Sequence, residues 1–251
     1  MIIYHNGAFI KDAAIFGLND RIRLGDGIFD TMLVIVKNAA PQCLKADLHF
    51  ERLIHDANML HIPIKTTPEI LHKTAMDLAG KNNLPDGRYA LNTLITRGAG
   101  QRGLMPPDMC APTLSMRLSP VPDTFPPITA IISQTTRRNE FSPLSQIKSC
   151  NYGDNILALI EAKGKGANEA ILLNTAGHVA CATAGNIFVE INGRLFTPPL
   201  SDGAMNGITR KIMLQNGEAV ERTITAKDLQ TAANLYTTNS IRGRTPVTLI
   251  T

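Results

Sequence analysis

The chain has 251 residues, 44% of them hydrophobic and 18% charged, with a formal net charge of +4; it can bury a full core as one large or two modest domains. So mild a charge, with no Lys/Arg cluster interleaved with aromatics, excludes a nucleic-acid partner and favours small anionic ligands, while the scarcity of charge suggests a surface covered by a second subunit. Four cysteines (Cys43, Cys110, Cys150, Cys181) form no Cys-x-x-Cys pair and have no histidine at zinc spacing, and no apolar run approaches the ~18 residues that span a bilayer, so a cytoplasmic protein with reduced thiols, no metal and no membrane contact is expected.

In chain order, Met1–Ile10 predicts two short strands around Asn6-Gly7, a dipeptide suited to the positive φ angles of a tight hairpin. Residues 19–27 form a polar, glycine-bearing loop leading into a branched, buried strand over Ile28–Val36. A helix follows with Asp47 as N-cap and Leu48, Leu53 or Ile54, Ala57 and Leu60 as its inward stripe. Arg52 lies off that stripe, either as a solvated arginine pairing with Glu51 or Asp56 or as a guanidinium that meets an anion. A second helix runs from Pro68, at the position where proline suits a first turn, to Asn82.

Tyr89–Thr96 and Thr113–Leu118 read as strands joined by a loop that carries Arg97 and Arg102 among three glycines, free of helix packing. Residues 119–127 (SPVPDTFPP) hold four prolines in nine positions, which marks a linker between a smaller domain over 1–118 and a larger one over 128–251. The second domain opens with a strand at Ile128–Gln134, and Lys148 then falls between a loop and a helix with Ile156, Leu159, Ile160 and Lys163 as its stripe. Strands at Glu169–Leu173 and His178–Ala182, a hairpin around Asn192-Gly193 and a helix starting in Asn206–Arg210 complete the pattern. Unpaired first-turn amides and a threonine hydroxyl make that last helix start either a phosphate seat or a plain cap.

Six stretches carry a resemblance: LGDGIFDT (24–31), HFERL (49–53), TRGAGQRG (96–103), IKSCN (147–151), NGITR (206–210) and TNSIRGRTPV (238–247). In order and separation they resemble the class IV pyridoxal-phosphate aminotransferases, a family that includes branched-chain and D-amino-acid aminotransferases and 4-amino-4-deoxychorismate lyases. The resemblance implies the two-domain α+β fold of fold type IV, a homodimer, pyridoxal 5'-phosphate in the cleft between the domains, and Lys148 as the Schiff-base lysine. It further assigns Arg52, Gly207, Ile208 and Thr209 to the cofactor phosphate, Asn239 and Ser240 to the last cofactor and substrate contacts, and Thr31 and Arg102 to the substrate, Arg102 through a carboxylate.

One position departs from the family: counting five residues back from Asn186, where a glutamate keeps the pyridine nitrogen protonated, this chain has Cys181. A thiol with an ordinary pKa near ~8.5 cannot do the same. Phe29, Thr31, the TRGAGQRG loop and Asn239 are nearest to the lyase branch, which implies release of pyruvate to give 4-aminobenzoate from a small anionic amino substrate. A transaminase acting on D- or branched-chain amino acids is the alternative, and a cofactor-binding or purely structural, inactive relative is the third reading.

Overall fold

A computed structural model describes residues 1–12 and 15–250. The chain divides into two compact units, one of Met1–Thr124 with Lys148–Cys150 and one of Phe125–Ile147 with Asn151–Thr251.

The first unit is a six-stranded antiparallel sheet built from β1 (Ile2–His5), β2 (Ala8–Lys11), β3 (Gly27–Lys37), β4 (Ala40–Cys43), β5 (Gly87–Thr96) and β6 (Thr113–Val121), in the order β2-β1-β6-β5-β3-β4. Asn6 and Gly7 take φ of 46° and 91°, as the predicted β1–β2 hairpin requires. Two helices, α1 (Ala46–Met59) and α2 (Pro68–Lys81), cover one face. Strand β3 shows why: Ile28, Met32, Val34 and Val36 alternate inward and are buried with Phe50, Leu53, Leu71 and Leu78, while Phe29, Thr31 and Ile35 point to the opposite face and are half-buried.

Three local expectations are corrected in this unit. Helix α1 begins after Lys45 in the left-handed conformation at φ 56°, with no side-chain cap, so Asp47 is a first-turn acid rather than the N-cap. Its buried stripe is Ala46, His49, Phe50, Leu53, Asp56 and Ala57, one step round from the predicted face, because two polar residues of the stripe, His49 and Asp56, find buried partners. The proline-rich stretch is not wholly a linker either, since Ser119–Val121 extends β6 against Ala90–Arg88. Strand β1 reaches only Ser115 and Met116, so Pro120 lies where β6 has one partner and its missing N–H costs no ladder bond.

The second unit holds an eight-stranded mixed sheet: β7 (Ile128–Ile132), β8 (Glu169–Leu173), β9 (Val179–Ala182), β10 (Asn186–Ile191), β11 (Arg194–Thr197), β12 (Val220–Glu221), β13 (Asn234–Asn239) and β14 (Gly243–Leu249). The order is β12-β11-β10-β13-β14-β7-β8-β9, and β9 returns to touch β10. Its enclosed core is branched and aliphatic, with Ile128, Ile171, Val179, Ile187, Val189, Leu235 and Val247 around Ile224 and Leu229. Around it pack α3 (Gly153–Gly164), α4 (Ile208–Gln215) and α5 (Ala226–Thr231).

Helix α3 inverts the predicted stripe. Ile156, Leu159 and Ile160 are 57%, 41% and 62% exposed, whereas Ala158 and Ala162 are buried against Ala167, Ala170, Ala180 and Leu172. Alanines on both surfaces let helix and sheet approach closely, which large side chains would prevent, so the small residues mark the inner face.

Candidate active site

Lys148 does not open the second unit as expected. Its segment lies beside the start of β3: Phe29 N–H donates to Lys148 O at 2.9 Å, Cys150 N–H donates to Gly27 O at 2.9 Å, and Ser149 stands opposite Ile28. Strand β4 pairs only with Val34–Lys37, so the first residues of β3 have an open edge that these three residues fill. The Lys148 amide donates to Asp56 Oδ2 of α1 at 2.8 Å, and its Nζ sits 4.3 Å from the centre of the Phe29 ring. The amine is therefore held over the same sheet face as Thr31, whose hydroxyl accepts from Asn92 Nδ2 at 3.1 Å.

On the opposite side of β3, burial brings charges together in the sheet–helix seam. Asp30, 1% exposed, accepts from His49 Nδ1 at 2.6 Å and from Arg52 Nε and Nη2 at 2.9 and 2.6 Å. Burial pushes the Asp30 carboxyl up, but the Arg52 charge and the hydrogen bonds from both partners outweigh it and hold the group below the usual carboxylate range. Arg52 thus pairs with Asp30, and not with Glu51 or Asp56; two of its five donors are used, and the far edge of the guanidinium fork does not face this carboxylate. Asp56 contrasts with Asp30: burial raises its pKa despite the bonds from Lys148 and His55.

Arg102 lies exposed in the β5–β6 loop and, among the described residues, forms no ion pair. Its neighbour Arg97 is 5% exposed and structural, donating to Asp26 Oδ2 at 2.8 Å and to the carbonyls of Leu60 and His61 at 2.6 and 2.8 Å. Arg21, which the sequence did not single out, donates through Nε to the same oxygen, Asp26 Oδ2, at 2.6 Å. Only the Asp-Arg pair before the glycine loop hinted at it.

In the second unit Gly207 is the N-cap of α4, with no side-chain cap, so the amides of Ile208 and Thr209 face outward from the helix start. A Cβ at Gly207 would overlap Asn186 Oδ1, whose amide in turn donates to Met205 O at 2.7 Å. Asn186 pairs with Thr238 on β13, and the buried hydroxyls of Thr237 and Thr238 have no hydrogen-bond partner. Neither threonine was expected as a site residue; only their buried, unsatisfied oxygens reveal them. Asn239 spends its carbonyl on the turn, accepting from the Ile241 and Arg242 amides at 3.0 and 2.8 Å, while its amide donates to Ala184 O at 3.4 Å; Ser240 lies in that turn.

Cys181 lies in β9 opposite Leu172, 6% exposed, within the alanine-rich core beneath α3. Burial pushes its thiol up; the Arg138 guanidinium opposes this and the Glu169 carboxylate adds to it. The side chain is a neutral thiol at physiological pH.

Each unit, taken by itself, offers a group that an aldehyde cofactor with a phosphate needs. In the first a lysine amine is held over an aromatic face, and in the second an uncapped helix start suits a dianion, with the unpartnered Thr238 hydroxyl on the strand position paired with Asn186.

Comparison with known proteins agrees. The model of the family "Amino-transferase class IV" matches residues 27–250. The "Putative branched-chain-amino-acid aminotransferase" of Methanocaldococcus jannaschii is 34% identical, with 98% of this chain and 87% of that protein covered. The "Aminodeoxychorismate lyase" of Bacillus subtilis is 25% identical over 99% of this chain and 86% of that protein. The crystal structure of a "Putative 4-amino-4-deoxychorismate lyase" from Legionella pneumophila superposes with a TM-score of 0.83 at 30% identity, covering 95% of this chain and 88% of that one. The chain belongs to the class IV aminotransferase family, with the two-domain α+β architecture of fold type IV.

Proposed function

We propose that this chain is a 4-amino-4-deoxychorismate lyase that uses pyridoxal 5'-phosphate to convert its substrate into 4-aminobenzoate and pyruvate. When bound, that cofactor supplies an aldehyde that captures an amine and a conjugated ring that takes up electrons from the adjoining carbon. Lys148 holds the aldehyde carbon and, once a substrate amine has taken its place, removes the proton from the carbon bearing that amine. Arg52, Gly207, Ile208 and Thr209 hold the phosphate, Asn239 and Ser240 line the far end of the site, and Cys181 faces the ring nitrogen. Thr31 and Asn239 orient the substrate, and Arg102 receives a carboxylate, for which its planar fork is suited.

The observation that carries this reading is the buried Cys181, whose thiol burial keeps protonated and neutral. Elimination of the enolpyruvyl group leaves an aromatic ring, so much of the driving force resides in the product and the demand on the cofactor ring as an electron sink is low. A transaminase must instead stabilise charge on the cofactor and return a proton to it, which depends more on the missing acid. The 34% identity to the Methanocaldococcus protein favours that second reading. An inactive, cofactor-binding relative is the third. The four large apolar side chains that α3 exposes, Ile156, Leu157, Leu159 and Ile160, support a homodimer.

Purified protein incubated with 4-amino-4-deoxychorismate is expected to release 4-aminobenzoate and pyruvate in equal amounts. Exchange of an amino group between a donor amino acid and a keto acid, without 4-aminobenzoate, would overturn the lyase in favour of the transaminase. Neither product, with a visible chromophore that disappears in Lys148→Ala, would establish the inactive relative.

A further inference from the structure

We infer that Arg21 is a positioning residue for substrate recognition: it clamps the loop that carries Arg102 and sets where that guanidinium is presented. This rests on the reading that Arg102 binds a substrate carboxylate.

Arg21 stands in a short 3-10 turn over Arg21–Leu24, is 3% exposed, and directs both Nη groups of its guanidinium into the loop that follows Arg102. Nη2 donates to Leu104 O at 2.7 Å, and Nη1 donates to Gly103 O at 3.2 Å and Met105 O at 3.4 Å. Three consecutive carbonyls thus converge on one cation. The side chains beside them point away: Leu104 and Met105 are 81% and 85% exposed, and Arg102 is exposed too. With almost no apolar packing of its own, the loop tip takes its shape from these bonds.

The clamp is itself fixed. Arg21 Nε donates to Asp26, the same oxygen that Arg97 Nε engages, so the buried cation is neutralised and its χ angles are held. The carboxyl of Asp26 is pushed up by partial burial, but the two arginines outweigh this and keep it below the usual range. Backbone bonds stitch the loop base to the same turn, Arg21 N–H to Gly98 O at 2.9 Å and Gly100 N–H to Asn19 O at 2.9 Å. Glycine at 100 is a second, independent sign, since a Cβ there would meet Arg21 Cδ at 2.8 Å and Cγ at 3.0 Å. Gly100 of TRGAGQRG therefore serves the passage of an arginine stem and not merely loop flexibility. Arg21 makes no contact that a substrate would need, and it acts only through the loop.

The test is a double-mutant cycle on the holoenzyme with Arg21→Gln, Arg21→Lys and Arg102→Ala, reading kcat, KM and amide hydrogen exchange over residues 98–106. Arg21→Gln is expected to raise KM about tenfold or more with kcat within about twofold, to leave the lysine-linked chromophore unchanged, and to speed exchange at 103–106. Arg21→Lys, which keeps the ion pair but lacks the fork, gives an intermediate exchange rate and an intermediate KM. In the Arg102→Ala background, Arg21→Gln should raise KM little further. Additive effects, or unchanged exchange in Arg21→Gln, overturn the clamp. If Arg102→Ala leaves KM unchanged, the carboxylate reading fails, and faster exchange in Arg21→Gln then separates a working loop clamp from its proposed use.

Discussion

The two units prepare for ligand in opposite ways. In the first, among the described residues, three buried or half-buried carboxylates already have partners: Asp30 with His49 and Arg52, Asp26 with Arg21 and Arg97, Asp56 with His55 and the Lys148 amide. In the second, the candidate phosphate seat is neutral and unfinished, with an uncapped helix start, and the strand β13 behind it carries two buried hydroxyls without partners, Thr237 and Thr238, one on each face. The difference is what desolvation demands. A buried ion without a partner costs several kcal/mol, so a charged frame must be completed by the protein itself, whereas an unpaired hydroxyl or amide costs less and can wait for an anion. The first unit holds its groups in place, and the second leaves donors available.

The comparison breaks most visibly at its reactive centre. Lys148→Ala keeps the backbone bond to Asp56 and the pairing with β3, so far-UV circular dichroism and melting should match the parent protein. Turnover should fall by about 10²–10⁴-fold or more, the usual contribution of a positioned acid–base group, and the visible chromophore should vanish. Loss of fold in this variant would mean that the amine is structural.

Next in size is the charged frame. Asp30→Ala leaves Arg52 and His49 without their buried carboxylate, and urea denaturation should show a loss of about 3–5 kcal/mol. The pH dependence has the same origin. The folded pKa of Asp30 is lower than the unfolded one, so its stabilising contribution is complete above the unfolded carboxylate value and is lost as pH falls through the lowered folded value. Stability of the parent protein should therefore decline below the ordinary carboxylate range, and Asp30→Asn should flatten that decline.

How much of this the sequence carried depends on whether the signal was local. Hairpins set by Asn6-Gly7 and Asn192-Gly193, the proline start of α2 and the alternating strand β3 are local and were legible. The start of α4 at Ile208 was legible for the same reason. Lys148 and Arg102 could be named from motifs, but their surroundings could not, because Asp56 lies 92 positions from Lys148 and Arg21 lies 82 from Gly103. Helix α3 misled for a physical reason: large apolar side chains are read as core, yet here close packing gave the inner face to alanine.

The neutral seat should respond in the reverse manner. Thr237→Val and Thr238→Val each remove a buried hydroxyl that has no partner, so the cofactor-free protein should be unchanged or stabilised by up to about 1–3 kcal/mol, the cost of an unmade hydrogen bond. At least one of them should weaken cofactor binding by about tenfold, read by titration of the chromophore, since a hydrogen bond to a charged group contributes about 1.5–3 kcal/mol. A seat variant that lost stability instead would show that the second unit, like the first, completes its own polar interior.

The smallest expected effect falls on the hinge between these behaviours, the carboxyl of Asp56. Burial raises its pKa, and a group so raised contributes stability fully below the unfolded value and loses it as pH rises through the folded value, the reverse of Asp30. Asp56→Asn keeps an oxygen for the Lys148 amide and removes the charge, so the variant should be as stable as the parent or slightly more so near neutral pH, and the advantage should fade in acid. Lysine position and kcat should change by less than about threefold, because the amide oxygen reproduces the one bond that reaches the Lys148 backbone. A large fall in kcat with stability intact would instead mean that the Asp56 charge acts on the Lys148 amine itself, and the first unit would then tune its reactive group as well as hold it.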